Sequence, residues 1–227
     1  MLKPEQILYC DNHLLAVNKP AGLLTQDSGT GKDNLEDQAK AWLKAEFNKP
    51  GNVFLEAVHR IDRVVSGVVL FARTSKALSR LNEQMRAKKM HKVYHAVVEG
   101  WPKDEAGTLV HYLKHGSREA IVSSAKDKQA KRCVLHYRTL QKGLRSGQKS
   151  ALLEIELETG RYHQIRAQLS TMGTPIVGDE KYGASRCKGY PGIALHSREL
   201  RLVHPTTKEE AALAAPYPEF NIFSVDG

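Results

Sequence analysis

Thiols, apolar runs and familiar catalytic signatures are all scarce in this chain. It has three cysteines in 227 residues, Cys10, Cys133 and Cys187, odd in number, far apart and without a CxxC pair. Such usage supports neither a disulfide framework nor a thiolate zinc site, and all three read as free thiols. No segment approaches the roughly 20 consecutive apolar residues that a spanning helix needs. The start Met1-Leu2-Lys3-Pro4-Glu5 lacks the apolar core of a signal peptide. The expectation is a protein that stays in the cytoplasm. Long linkers, low-complexity tracts and internal repeats are missing too, so nothing divides the chain by composition. A GxxxxGK phosphate loop is excluded because Gln26 stands where its first glycine belongs. His91 and His95 are four apart but lack the HExxH glutamate, and no metal site is expected. Ser66-Gly67 lacks the glycine two residues before the serine that a nucleophile elbow requires.

What is present is ordinary in hydrophobicity and unusual in charge. Hydrophobic residues make up 41% and charged residues 26%, values of a folded globular protein rather than a disordered one. At 227 residues the chain can bury a sizeable core, as one elaborate domain or two small ones. Its 34 Lys and Arg against 25 Asp and Glu give a net charge of +9. That surplus suits a polyanionic partner, with nucleic acid first and an anionic membrane surface still open on charge alone.

Strand and helix signals alternate frequently. Leu14-Leu15-Ala16-Val17-Asn18 reads as a strand that stops at the turn Lys19-Pro20-Ala21-Gly22. Leu35, Ala39, Trp42, Leu43 and Phe47 fall on one helical face, with Asp33 or Asn34 as N-cap. Ala77, Leu78, Leu81 and Met85 mark a second helix capped by Thr74 or Ser75. Its basic end, Arg86, Lys88, Lys89 and Lys92, either complements the helix dipole or contacts phosphates. Lys92 to Gly100 reads as a strand. Leu153, Ile155 and Leu157 alternate with Glu154, Glu156 and Glu158 in a strand with one apolar and one solvated face. It leads through Thr159-Gly160 to a helix ending near Gly173, on which Ile165 and Leu169 point inward while His163, Arg166 and Ser170 share another face. Lys126, Lys128, Lys131 and Arg132 lie in a polar segment that is either a substrate clamp or a solvated hairpin loop.

The most informative stretch is His59-Arg60-Ile61-Asp62-Arg63-Val64-Val65-Ser66-Gly67, one carboxylate between two arginines just before the apolar run Val68-Val69-Leu70-Phe71. A strand beginning near Val68 carries this loop to a sheet edge, where a side chain can face a cleft while the scaffold holds its backbone. Flanking guanidiniums favour an anion, suited to nucleophilic or electrostatic work rather than proton donation. A salt-bridged aspartate that fastens a loop satisfies these nine residues equally well.

In order, these segments resemble the RluA-type RNA pseudouridine synthase family over almost the whole chain. Leu15-Ala16-Val17-Asn18-Lys19-Pro20-Ala21-Gly22 looks like its N-terminal motif, and His59-Arg60-Ile61-Asp62-Arg63 with Ser66-Gly67 looks like its HRLDRxTSG segment. Lys92-Val93-Tyr94 matches its KxY strand. Residues 160–166 and 173–183 resemble its GRxHQIR and GxPIxGDxxYG run. Val65 stands where threonine is usual, removing a hydroxyl from the loop.

The resemblance implies an α+β fold with a mixed, largely antiparallel central sheet and flanking helices, a single catalytic domain over residues 1–227 whose two subdomains share that sheet. It implies no appended N-terminal S4-like domain, since the first motif begins within the first twenty residues. The implied reaction isomerises uridine to pseudouridine in ribosomal or transfer RNA without metal, cofactor or energy source. A monomer is the default expectation, with no obligate protein partner and no membrane. The catalytic aspartate falls on Asp62, the active-site tyrosine on Tyr94, and the arginine that pairs with the aspartate on Arg166. Arg60, His59, Arg63, Lys92, His163 and Gln164 are the expected substrate-binding residues, with Arg60 filling the space a flipped base leaves.

Overall fold

The computed structural model describes residues 2–29 and 31–226. In chain order its strands and helices are β1 (Ile7–Cys10), β2 (Leu14–Lys19), α1 (Leu35–Glu46), β3 (Glu56–Ala57), β4 (Ser66–Ala72), α2 (Ser75–Arg86) and β5 (His91–Glu99). They continue as β6 (Ala106–His115), β7 (Ala120–Ser123), β8 (Lys131–Arg145), β9 (Gln148–Leu157), α3 (Gln164–Thr171), β10 (Leu195–Val203) and β11 (Glu210–Ala214). The class is α+β, a mixed and mostly antiparallel sheet with three α-helices among the described residues. Two compact units divide it, Met1–Lys92 with Ser197–Pro218, and Val93–His196 with Glu219–Gly227.

In the first unit the strand order is β1-β2-β4-β10, with β3 paired to β4 and β11 to β10. β2 and β4 run antiparallel from Leu14 opposite Ala72 to Lys19 opposite Gly67. Every residue of β4 is buried, which is why its sequence shows an unbroken apolar run instead of alternation. Alternate residues still divide between faces. Leu14, Ala16, Val68, Leu70 and Ala72 meet Ala77 and Leu81 of α2 and Leu200, Leu202 and Leu213 of the β10–β11 hairpin in one core cluster. Both helices start where the sequence signals them. The Asn34 side chain accepts from the Asp37 amide at 3.0 Å, and the Thr74 hydroxyl accepts from the Ala77 amide at 3.1 Å.

In the second unit the order is β5-β9-β8-β6-β7, antiparallel throughout. The β8–β9 hairpin closes through Ser146 and Gly147, both at positive φ (50° and 77°), as a two-residue turn between twisted strands demands. β8 carries an irregularity between Thr139 and Gln141, which shifts the inside–outside alternation along the strand. α3 departs most from the sequence expectation. It starts at Gln164, three residues later than the motif suggests, and all six residues from Gln164 to Leu169 are buried. A helix with one polar face does not fit that environment. The polar side chains are instead spent on neighbouring strands: Gln164 Nε2 donates to the Val134 carbonyl at 3.1 Å, and Gln168 Nε2 to the Leu109 carbonyl at 2.9 Å. Ala167 joins Leu113, Ala120 and Cys133 in a small core cluster.

Gly67 opens β4 at φ 112°, and a Cβ there would lie 2.2 Å from the Ser197 carbonyl oxygen. Both the dihedral and the approach of β10 require glycine. Gly67→Ala is expected to lose on the order of 4 kcal/mol, because backbone rather than a movable side chain blocks the methyl. A urea-denaturation midpoint against the parent protein measures this.

Candidate active site

The Asp62 loop is fixed through its backbone. Thr25 Oγ1 donates to the Ile61 carbonyl at 3.0 Å and accepts from the Ile61 amide at 3.4 Å. The Arg63 carbonyl accepts from the Gly22 amide at 2.7 Å and from Lys19 Nζ at 3.2 Å. The Val65 amide donates to the Asp62 carbonyl at 3.0 Å, closing a tight turn. The Asp62 side chain is half-buried between the exposed Arg60 and Arg63.

Two residues beneath the loop carry much of its geometry. His59 Nε2 accepts from the Leu70 amide at 3.2 Å, which tethers the loop to β4. An accepting Nε2 places the proton of the neutral ring on Nδ1. Burial, helped by the Lys92 charge, pushes the His59 pKa down to about 3. Lys92, its own pKa lowered by burial, reaches Met85 Sδ at 3.4 Å. Lys19 was legible only as a basic residue opening a turn, yet it is wholly buried. Its ammonium donates to the carbonyls of Pro20, Leu23 and Arg63 at 2.9, 2.8 and 3.2 Å.

The second unit holds Tyr94, His163, Gln164 and Arg166. Tyr94 lies on β5, opposite Ile155 of β9, and is 7% exposed. Arg166 presents a complete fork to a residue that sequence reasoning passed over, Asp179. Its Nε and Nη2 donate to the two carboxylate oxygens at 2.7 and 2.8 Å, with both side chains buried. Its Nη1 donates to His163 Nε2 at 2.7 Å, and its guanidinium lies 5.0 Å from the Tyr182 ring centroid. Only the aspartate of the Gly178-Asp179 motif could have signalled this pair.

Because arginine can only donate, His163 Nε2 accepts and Nδ1 carries the proton, which it gives to the Tyr182 hydroxyl at 2.9 Å. Burial and the charges of Arg166 and Lys181 hold the His163 pKa near 3, so the ring stays neutral. Tyr182 also accepts from the Ala120 amide at 2.8 Å, and burial raises its hydroxyl pKa to about 12. His163 sits just before α3 with φ 52°, outside the helix and not on its face. Gln164 accepts from Thr159 Oγ1 and the Arg161 amide at 2.8 and 3.1 Å. His59, His163 and Gln164, expected to bind substrate, thus also hydrogen-bond groups of the scaffold. A cavity of about 340 Å³ in the first unit is lined by Gln26, Glu36, Lys40 and residues 53–57, none of them a predicted site residue. No described helix is long and apolar enough to cross a membrane.

Comparison with known proteins identifies the family of the chain. Residues 13–171 match the family model described as RNA pseudouridylate synthase. The chain is 34% identical to tRNA pseudouridine synthase C of Vibrio cholerae, covering 94% of this chain and 91% of that one. It is 33% identical to ribosomal large subunit pseudouridine synthase D of Xanthomonas campestris, over 95% of this chain and 67% of the relative. Among solved structures, human RNA pseudouridylate synthase domain containing 4 superposes with a TM-score of 0.79 at 24% identity, covering 96% of this chain and 90% of that one. That likeness speaks for the fold alone.

Removing one partner of the Arg166–Asp179 pair strands a buried charge. Asp179→Ala is expected to cost about 3–5 kcal/mol, and a double change to apolar residues of similar volume, Arg166→Met with Asp179→Leu, to recover most of it. Paired urea denaturations of the three proteins test this. The histidines set the acid limb. A ring held near 3 when folded and near 6.5 when unfolded takes up its proton preferentially in the unfolded chain. Stability is therefore full above about 6.5 and falls as the pH drops toward 3, by at most about 1.4 kcal/mol per pH unit for each histidine. His59→Asn, which can accept from Leu70 without titrating, should flatten the slope between pH 6.5 and 4.

Proposed function

The chain belongs to the RNA pseudouridine synthase family and is an isomerase of that class, and from that premise we propose that it converts uridines of ribosomal or transfer RNA with Asp62 as nucleophile. The observation that supports this most is that the matched stretch, residues 13–171, includes Asp62, Tyr94 and Arg166 together. A carboxylate on a loop whose backbone is tied at Ile61 and Arg63 is also what a positioned nucleophile needs.

A uracil stacked in a helix cannot be reached at C1′ or C6, so the target nucleotide is first extruded, at a cost of a few kcal/mol. The exposed guanidinium of Arg60 fills the vacated space, and Arg63 takes a phosphate. Asp62 attacks C1′ and releases uracilate, or takes a sugar proton to give a glycal. The base then turns and C5 bonds to C1′ as the Asp62 ester bond breaks, or as the glycal takes its proton back at C2′; the C5 proton then leaves with the help of Tyr94 while N1 takes one up. Arg166 is the arginine that the family resemblance pairs with the nucleophile, a pairing that would favour its anionic form. Product and substrate are isomers, so no atom or electron is consumed. His59, His163 and Gln164 act as positioning residues. The basic surplus grips the RNA backbone, so binding weakens as salt rises.

The decisive assay is tritium release from RNA labelled at uridine C5, run separately on ribosomal and transfer RNA pools, with nucleoside analysis of the product. Release accompanied by pseudouridine identifies the active pool. Free uracil instead would mark a glycosylase, and no release from either pool would contradict the reading.

A further inference from the structure

One assembly in the second unit shares only His163 with the catalytic proposal. His115, Tyr162 and His163 form a parallel ladder of three rings, with centroids 4.3 and 3.8 Å apart and interplanar angles of 21° and 18°. Its inner rung is immobilised, because Arg166 and Tyr182 hold the two nitrogens of His163. Its outer two rungs face solvent: Tyr162 is 41% exposed, and His115, at the end of β6, is exposed as well. Tyr162 covers both faces of its ring with histidines, so the ladder terminates in the outer face of His115.

The segment around the ladder is cationic and pinned. The Arg118 carbonyl, in the turn between β6 and β7, accepts from the Tyr162 hydroxyl at 3.3 Å and from Lys181 Nζ at 3.0 Å. β6 and β7 pair His115 with Ala120, whose amide is held by Tyr182. Arg118, Arg161 and Lys181 are exposed there, against Glu119 and Glu180 in the same turns. Rigid flat rings exposed at one end, flanked by arginines and a lysine, present what a single-stranded nucleotide uses: a π-face for its base and cations for its phosphates.

We propose that the His115–Tyr162 ladder is a stacking site for an unpaired RNA base other than the reacting uridine, which adds a fourth ring on the outer face of His115. This rests on the reading of the protein as acting on RNA. Sequence pattern alone would not reveal it, because residues 115 and 162 meet only in the folded sheet.

The test uses a short single-stranded RNA carrying 2-aminopurine, whose fluorescence is quenched on stacking, together with steady-state tritium release on the pool that the parent protein modifies. His115→Ala should abolish the quench and raise KM about tenfold with the loss falling on KM rather than kcat, in line with the measured worth of one base–aromatic stack. His115→Phe should restore both. Thermal denaturation verifies that the variants fold, as expected for an exposed strand-end residue. Unchanged quenching and KM in His115→Ala would overturn the proposal, and so would equal losses in the alanine and phenylalanine variants. A parent protein that releases no tritium from any pool would instead bring down the functional reading itself.

Discussion

The ammonium of Lys19 is the interaction on which the Asp62 loop depends. A buried cation is costly to desolvate, and burial pushes this pKa down to about 7, while the nearby Asp62 charge raises it and Arg63 lowers it. Three carbonyls, those of Pro20, Leu23 and Arg63, use all three ammonium protons. A neutral amine would forfeit one of those bonds, so the acceptor set favours the charged form against the desolvation. The result joins the end of β2, the turn that follows it and the residue after Asp62 through a single side chain. The loop gains a fixed backbone on either side of Asp62.

The second unit solves the same problem with another buried cation. Arg166 is buried, and each face of its guanidinium fork meets an acceptor: two oxygens of Asp179 and Nε2 of His163. His163 is kept neutral by burial and by that cation, and its remaining proton is directed to Tyr182. The chain of constraint runs from Ala120 on β7, through Tyr182 and His163, to Arg166 on α3. A buried network of this kind is tolerated only when its members find partners. In both units a buried positive charge organises the backbone around it, and the exposed basic residues remain available to a polyanion.

Much of the fold was legible, for identifiable reasons. Asn34 and Thr74 announced their helices because a side-chain acceptor at an N-cap is a local signal. β9 was visible because one of its faces is solvated. α3 was misread because its glutamines and arginine are buried against strand carbonyls, partners that no periodicity in the sequence reveals. β6 to β8 were largely illegible: Val110, Ile121 and Val122 are exposed there, and the irregularity at Thr139 breaks the alternation of a long strand. The site divides in the same way. Asp62 drew attention through its own neighbours and Arg166 through a shared polar face, whereas Tyr94 was singled out only by the resemblance of its motif. Lys19 and Asp179 acquire their roles from distant carbonyls and a buried guanidinium, contacts that exist only once the chain has folded.

The central claim is that the Asp62 carboxylate performs the bond-breaking step while the surrounding loop stands without it. Asp62→Asn is nearly isosteric and leaves Lys19, Thr25 and His59 their partners. The most direct measurement compares this variant with the parent protein for RNA affinity and for single-turnover tritium release. The account predicts affinity within about threefold, a shift of less than roughly 1 kcal/mol, and no detectable release. Turnover retained in Asp62→Asn would contradict it.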